Sequence, residues 1–310
     1  MKIRSTHYFR FSAVMILVMF IAVSFQYAPE NNNATQESSN AKKKEKPKLK
    51  TWIHEGPLPY EIERQNDHYP LSDQQNNGCW KLYEPLTDEF ESGFDAEKWI
   101  RKPGGWKGRV SMFYEDNVQV YDGMLHIICK KETHPDYPDS EYTAAMCRAK
   151  QYVKYGYFEI KAKPMASAAS SAFWFSNHNS EEFWWTEIDV FEIGGSSEMD
   201  EQPYKYNMNA HKFKTPEEYP EGNHVQYHGH WISPTLLREA FRVYGLEWNE
   251  DEIIWYVDGH PVYKLENHFW HQPLEMKFDT EIFVNWFGWP KEEELPGDFQ
   301  VQYVRAWKKQ

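Results

Sequence analysis

Three carboxylates stand at close spacing in residues 184–192, among aromatic and β-branched side chains. Residues of those types favour a β-strand, because they fit a pleated, half-buried surface. Residues two apart in a strand share a face, so Trp185, Glu187 and Asp189 should point the same way, and the residues between them should face an apolar core. Three acids on one open face repel each other and do not help folding, which indicates a role in chemistry.

The third acid, Glu192, is out of phase with the other two by one residue. It joins the acidic face only if the strand carries one extra residue near Val190 and Phe191, which would be a β-bulge. The spacing therefore predicts a bulge at this point of the strand.

Two carboxylates of this kind suit glycoside hydrolysis, in which one is the nucleophile and the other the proton donor. A retaining enzyme holds these groups about 5–5.5 Å apart, so Glu187 and Glu192 also require a curved strand. Two other interpretations stay open at this stage. One is an acidic edge strand kept soluble by its charge, and the other is a calcium site built from oxygen ligands.

The rest of the chain predicts an all-β fold. Past about residue 80, short β-forming runs alternate with turn signals such as Asp122-Gly123, which indicates a two-sheet β-sandwich or jelly roll. The 14 Trp and 20 Tyr suit either an aromatic core or a cleft that stacks on sugar rings. The predicted strands cover residues 117–121, 123–129, 142–149, 156–162, 170–175, 186–193, 206–213, 241–248, 252–257, 261–264, 280–287 and 300–307.

The sequence divides into four segments. Residues 1–26, basic and then apolar, are predicted to be a signal peptide or N-terminal anchor. Residues 27–50 read as a disordered linker, residues 51–80 as an N-terminal extension, and residues 81–310 as the catalytic domain. We therefore expect a secreted or cell-envelope protein, with membrane contact only if the first segment is not cleaved.

The charge of the chain narrows the classes of ligand that it can bind. Residues 1–50 hold nine basic and three acidic side chains, and the remainder holds 25 and 44, a formal charge of −19. Such a surface disfavours nucleic acid, and it suits a polyanionic substrate only if basic residues cluster in the cleft.

Cys129 and Cys147 lie in neighbouring predicted strands, either as a disulfide of an exported protein or as two buried free thiols.

The motif Glu187-Ile188-Asp189-Val190-Phe191-Glu192 resembles the signature of glycoside hydrolase family 16. The two hydrophobic residues before its last Glu resemble the motif of the family's β-bulge branch. This branch includes laminarinases, β-agarases, β-porphyranases and κ-carrageenases. The resemblance runs in order through residues 82–309 and implies a concanavalin-A-like jelly roll with an open cleft. The flanking segments that carry it are residues 105–109, 155–161, 170–175, 244–248, 255–259 and 302–307.

The resemblance also implies the roles of the three acids. Glu187 would attack the anomeric carbon, and Glu192 would protonate the leaving oxygen and later activate water. Asp189 lies between them, where its charge or a shared proton would keep one Glu ionised and the other protonated.

Further residues are implied in substrate binding. The candidate sugar platforms are tryptophans, of which Trp185 shares the parity of Glu187. Trp174 could instead belong to the core, Arg109 could form a surface salt bridge, His211 could be an ordinary strand histidine, and Glu281 could be a surface acid. The complete set of substrate-binding candidates is Trp106, Arg109, Trp174, Trp185, His211 and Glu281.

The expected function is an exported, endo-acting, retaining hydrolase of β-linked galactans of the agar, porphyran or carrageenan type. A β-1,3-glucanase would use the same residues, and a transglycosylase would differ only in the acceptor. A non-catalytic sugar-binding jelly roll fits less well, because both glutamates are present. We expect a monomer with no cofactor, and Gln302, where many relatives carry Asp near a structural calcium, makes calcium doubtful.

Overall fold

The computed structural model describes residues 47–102, 109–218 and 222–310. The predicted signal or anchor, most of the linker, and Trp106 lie outside these residues. The strands are β1 (Thr51–Ile53), β2 (Trp80–Leu82), β3 (Trp99–Ile100), β4 (Met112–Phe113), β5 (Val118–Tyr121), β6 (Met124–Lys131), β7 (Tyr142–Ala144), β8 (Met146–Val153), β9 (Gly156–Lys163), β10 (Ser170–Asn179), β11 (Trp184–Gly194), β12 (Lys205–Lys214), β13 (Val225–Ile232), β14 (Arg242–Trp248), β15 (Glu252–Val257), β16 (His260–Glu266), β17 (Leu274–Asp279) and β18 (Gly297–Lys309).

These strands form two sheets, as the sequence predicts. The seven-stranded sheet has the order β13-β12-β11-β10-β17-β8-β3, and the eleven-stranded sheet has the order β1-β16-β15-β14-β9-β18-β6-β7-β4, with β2 on β18 and β5 on β6. The pairings between described strands are antiparallel except for β4 with β7. The short 3-10 turns are Leu71–Asp73, Glu84–Leu86, Glu115–Asn117, Gln202–Tyr204, Pro216–Glu218, Leu237–Glu239 and Glu292–Glu294. Within the described ranges, no helix has the length and apolar character that crossing a membrane requires.

A continuous apolar core between the sheets fixes the orientation of β11. Ile188 and Val190 are fully buried there, with Phe175 of β10 and Leu246 of β14 in the same cluster. Burying a side chain of this size stabilises the fold by about 1.5–3 kcal/mol. Because strand side chains alternate, the apolar residues of β11 hold its acidic residues on the opposite face.

The predicted bulge is present in β11. Consecutive residues of β10 pair with Asp189 and Phe191, which leaves Val190 as the extra residue. The register with β12 also shifts between Asp189 and Glu192. The bulge returns Glu192 to the face that carries the other acids, and this confirms the sequence prediction.

The predicted strand over residues 280–287 is wrong. The strand in this region, β17, ends at Asp279, and residues 284–287 form a turn in which the Phe287 amide donates to the Phe283 carbonyl over 2.8 Å. The aromatic residues that suggested a strand pack on one another instead, with Trp286 stacked on Phe287. The sequence analysis also missed β13, although its residues alternate regularly between buried and exposed.

The remaining predicted strands coincide with observed ones, with shifted ends and with residues 142–149 divided between β7 and β8. Between β13 and β14, Leu237–Glu239 forms a short 3-10 turn. Cys129 and Cys147 are buried free thiols rather than a disulfide. Burial raises the pKa of Cys129 to about 12, so this thiol stays protonated.

Residues of the N-terminal extension pack on the eleven-stranded sheet, on its face away from the core. Glu159 of β9 is buried there, where it accepts hydrogen bonds from the Leu71 amide (2.8 Å) and the Tyr303 hydroxyl (2.9 Å) and pairs with Arg64. Burial raises the pKa of Glu159, and these donors and Arg64 oppose that rise. The N-terminal extension therefore supplies a hydrogen-bond donor and a positive charge that stabilise the buried Glu159 carboxylate, which lies on the other sheet from the acidic face of β11.

Candidate active site

Residues of neighbouring strands converge on a cleft of about 360 Å³ on the outer face of the seven-stranded sheet. All three acids of the sequence motif lie in it, and the strands β10, β11, β12, β17 and β8 each contribute lining residues. The cleft is lined by Arg109, Met146, Ala172, Trp174, Ser176, Trp185, Glu187, Asp189, Glu192, Phe213, Glu275, Lys277, Asp279, Glu281 and Phe283.

Each acid of the trio is held through its backbone carbonyl by a side-chain donor. The buried indole of Trp270 donates to Glu187 over 2.9 Å, and that of Trp255 donates to Asp189 over 2.9 Å. The Asn207 amide donates to the carbonyl of Glu192 over 3.0 Å. A bulge interrupts the ladder, so these donors satisfy backbone groups at the site and fix the strand that carries the acids.

His211 lies inside the site, opposite Glu187 in the register of β11 and β12. Its Nε2 is 3.3 Å from Asp189 Oδ2, and its Nδ1 is 2.9 Å from His224 Nε2. Burial lowers the pKa of His211, but the hydrogen bond and charge of Asp189, with the charge of Glu187, outweigh burial and raise it overall. The carboxylates of Asp189 and Glu187 therefore favour the protonated form of His211, and its place against Asp189 is more than that of an ordinary strand histidine.

The two glutamates differ in their electrostatic surroundings. Burial and the charge of Asp189 raise the pKa of Glu187 to about 8, against the lowering effect of His211 and Lys277. Burial, Asp189 and Glu187 also raise the pKa of Glu192 well above its usual range. The charges of Asp279 and Glu281 raise it further. The two cations therefore favour ionisation of Glu187, and the acids around Glu192 favour retention of its proton.

Lys277 of β17 was missed by the sequence analysis. Its Nζ donates to Ser176 Oγ over 2.6 Å, lies 3.5 Å from Glu275 Oε2 and sits 4.3 Å from the ring centre of Trp174. The signal was present, because Leu274–Asp279 alternates apolar residues with Glu275, Lys277 and Asp279. The strand was misplaced by a few residues, so this charged face was not recognised.

The tryptophan candidates are more enclosed than the sequence suggested. Trp185 has His178 against one side (ring centres 4.6 Å apart) and Phe213 against the other (4.3 Å), from the two strands that flank β11. A sugar would therefore meet the edge of Trp185 rather than an open face. Trp174 has the ammonium of Lys277 on its ring, and its indole N–H donates to Asp279 over 3.1 Å.

Arg109 and Glu281 form part of the cleft wall. Arg109 Nε lies 3.9 Å from Glu281 Oε2, and its guanidinium lies 4.4 Å from the ring centre of Phe283. Glu281 is 7% exposed, which contradicts the alternative of a surface acid. Its backbone is held by Ser170, whose hydroxyl accepts from the Glu281 amide over 2.9 Å.

Gln302 lines a cavity of about 930 Å³ on the outer face of the eleven-stranded sheet. The lining holds carboxylates as well as cations, namely Glu61, Asp67, Glu89, Glu91, Asp122, Asp258, Arg64, Lys161, Arg242 and Arg305. The absence of calcium that Gln302 suggests stays a prediction. Among the described residues, only Glu187, Asp189 and His211 form a group of three metal ligands with close donor atoms, within 4.8 Å of one another, and these are the residues that carry the acid chemistry.

We expect replacement of Lys277 by Met to move the acidic limb of the kcat/KM–pH profile to higher pH. Lys277 lowers the pKa of Glu187, so its loss makes the carboxylate harder to ionise, at about tenfold in activity on the acidic side for each pH unit moved. Lys277→Arg, which keeps the charge, is the matched control. An unchanged limb in a folded Lys277→Met variant would contradict the coupling.

The fold is a two-sheet β-sandwich, and its bulged strand presents three acids to an open cleft. This arrangement is typical of enzymes that cleave carbohydrates with carboxylate side chains. A family model described as "Beta-porphyranase A-D, GH16 domain" matches residues 80–309. The chain therefore belongs to glycoside hydrolase family 16, which confirms the resemblance seen in the sequence.

Individual relatives agree with this placement. β-Porphyranase B of Zobellia galactanivorans is 29% identical over 258 residues, covering 74% of this chain and 85% of the relative. Its crystal structure superposes with a TM-score of 0.66 at 25% identity, over 74% of this chain and 92% of that one. The κ-carrageenase of Pseudoalteromonas carrageenovora is 26% identical over 269 residues, 74% of this chain, and the match spans 65% of that relative. A glucan endo-1,3-β-glucosidase of Cryptopygus antarcticus is 28% identical over 262 residues, covering 74% and 93%.

Proposed function

We propose that this protein is an exported, endo-acting, retaining glycoside hydrolase that cleaves β-linked galactans of the agar, porphyran or carrageenan type. The observation that carries the chemistry is the unequal environment of the two glutamates in one cleft. His211 and Lys277 oppose the rise in the pKa of Glu187 that burial and Asp189 cause, so they favour the anionic form that a nucleophile requires. The acids around Glu192 favour its protonated form, as a general acid requires.

The reaction then proceeds by double displacement. The Glu187 carboxylate attacks the anomeric carbon while the glycosidic C–O bond breaks and Glu192 gives its proton to the leaving oxygen. In the second step Glu192 takes a proton from water, the water oxygen attacks the same carbon, and the Glu187 carboxylate leaves. Asp189, between the two and against His211, holds the charge balance as the proton on Glu192 is lost and regained.

The substrate class is supported by the porphyranase family model and by the relatives named above. The charges of the cleft favour a neutral or lightly sulfated chain over a dense polyanion. Its cations Arg109 and Lys277 both lie close to carboxylates of the same cleft. A β-1,3-glucan is the second candidate, favoured by the similarity to the Cryptopygus glucanase.

A reducing-sugar screen decides between these substrates. We expect release from agarose, porphyran, κ-carrageenan or furcellaran, and a mixture of oligosaccharides early in the reaction, as endo-cleavage produces. Release from laminarin alone would replace the galactan assignment with the glucanase. A lack of release from all five, with intact binding, would favour a sugar-binding protein.

The stereochemical course tests the mechanism independently of the substrate. Proton NMR of the earliest product should show the same anomeric configuration as the bond that was cleaved, because two displacements each invert the carbon. Inversion in the first product would refute Glu187 as a covalent nucleophile.

Export and a monomeric state complete the proposal. Residues 1–26 carry the basic and apolar pattern of an export signal. Mass spectrometry of protein recovered from the culture medium and from membranes would show whether this segment is removed. Light scattering of the purified chain would test the monomer.

A further inference from the structure

We propose that a second cavity, at the end of the cleft away from His211, is a distal subsite for an uncharged sugar ring. This inference rests on the proposed function, since it assigns part of the polysaccharide to a place beyond the catalytic cleft. The cavity has a volume of about 620 Å³. It is lined by Arg109, Val110, Met112, Asp136, Tyr137, Pro138, Asp139, Ser140, Glu141, Tyr142 and Trp289.

The cavity continues the catalytic cleft in space. Arg109 lines both, and it reaches Glu281 and Phe283 on the catalytic side. The cleft crosses the seven-stranded sheet from Phe213 on β12 to Met146 at the start of β8. Met112 and Tyr142, which line the second cavity, lie on β4 and β7. Phe113 and Ala144 of those two strands pack with Met146 in one cluster, so a polymer that leaves the cleft at β8 meets this cavity next.

An open aromatic surface makes the cavity suitable for a sugar. Trp289 is 53% exposed and Tyr137 is 37% exposed, and the rings of Trp289 and Tyr142 lie 5.8 Å apart with 30° between their planes. The two tryptophans in the described lining of the catalytic cleft have no comparable open face, since Trp185 is flanked by two rings and Trp174 carries Lys277. Stacking of a pyranose ring would cover apolar surface that now faces water.

The charge of the lining determines which sugar fits. Asp136, Asp139 and Glu141 supply three carboxylates, and Arg109 is the only basic residue among the described residues of the lining. A sulfate ester would meet repulsion here, whereas the hydroxyls of a neutral ring can bond to carboxylate oxygens. The subsite therefore selects an unsulfated sugar at this position of the chain.

The test compares agarose-derived oligosaccharides of four to ten sugars. Trp289→Ala should lower the ratio of kcat/KM on the longest to that on the shortest oligosaccharide by about three- to tenfold, as loss of one stacking contact predicts. Trp52→Ala is the matched control, since Trp52 is 45% exposed on β1 at the edge of the other sheet, and it should leave the ratio unchanged. An unchanged ratio in Trp289→Ala would overturn the subsite.

A second variant tests the charge argument. The double variant Asp139→Asn, Glu141→Gln should raise the rate on sulfated oligosaccharides relative to neutral ones, and an unchanged preference would overturn the selection of an uncharged ring. Binding of the same oligosaccharides to Glu187→Ala, with and without Trp289→Ala, separates the two proposals. If the wild type does not hydrolyse any oligosaccharide but Trp289→Ala weakens binding of the long ones, the subsite stands and the proposed hydrolase fails.

Discussion

Replacing Glu187 with Ala should reduce the release of reducing ends by a factor on the order of 10⁴ to 10⁶, the range found when a nucleophile is removed from other hydrolases. The loss should appear in kcat, because without this carboxylate no covalent intermediate forms. Binding of the polysaccharide should remain largely intact, since the aromatic and polar walls of the cleft are unchanged. Colorimetric assay of reducing ends and a pull-down on insoluble polysaccharide measure the two properties separately.

The melting temperature of the Glu187→Ala variant serves as the control for its folding. Glu187 lies beside Asp189 and in the same cleft as Glu192, where like charges oppose one another. Removal of one acid should leave the melting temperature equal to or above that of the wild type, as is common when a functional charge is deleted. Azide, a small anion that fits the vacated space, should restore part of the activity and give a product of inverted configuration. Normal turnover by the folded variant would show that Glu187 is not the nucleophile.

The sequence predicts the acidic face of β11 because its signal is local. Ile188 and Val190 alternate with Glu187 and Asp189, and the one-residue phase error at Glu192 has one simple structural solution. A strand whose apolar residues enter a core has its opposite face determined at once. The bulge, the common cleft and the two-sheet architecture follow from such short-range patterns.

The remainder of the site depends on contacts that no local pattern contains. Trp255 and Trp270 reach the carbonyls of Asp189 and Glu187 from 66 and 83 residues away in sequence. The rings that enclose Trp185 come from strands on its two sides, and their proximity depends on strand order and register. Lys277 could have been found from the alternation of β17, but the aromatic residues after Asp279 suggested a later strand.

Replacing Glu192 with Gln should lower kcat/KM on the polysaccharide by about 10² to 10⁴, the usual contribution of a general acid. Gln keeps the size of the side chain but has no proton to give to the leaving oxygen. The pKa of Glu192 is raised by burial and by the charges of Asp189 and Glu187. The wild type should therefore lose activity as the pH rises through this pKa, and the variant should lack that alkaline limb.

The leaving group distinguishes an acid from a residue that only shapes the cleft. An aryl glycoside with a nitrophenol leaving group needs little protonation, so Glu192→Gln should form the glycosyl-enzyme from it at a near-normal rate and then release it slowly. Glu187→Ala should not form this intermediate, although both variants have strongly reduced activity on polysaccharide. Glu84→Gln, at an exposed glutamate outside the cleft, should match the wild type on both substrates. Equal losses on the aryl glycoside and the polysaccharide would indicate that Glu192 does not donate the proton. The unequal surroundings of the two glutamates would then need another explanation.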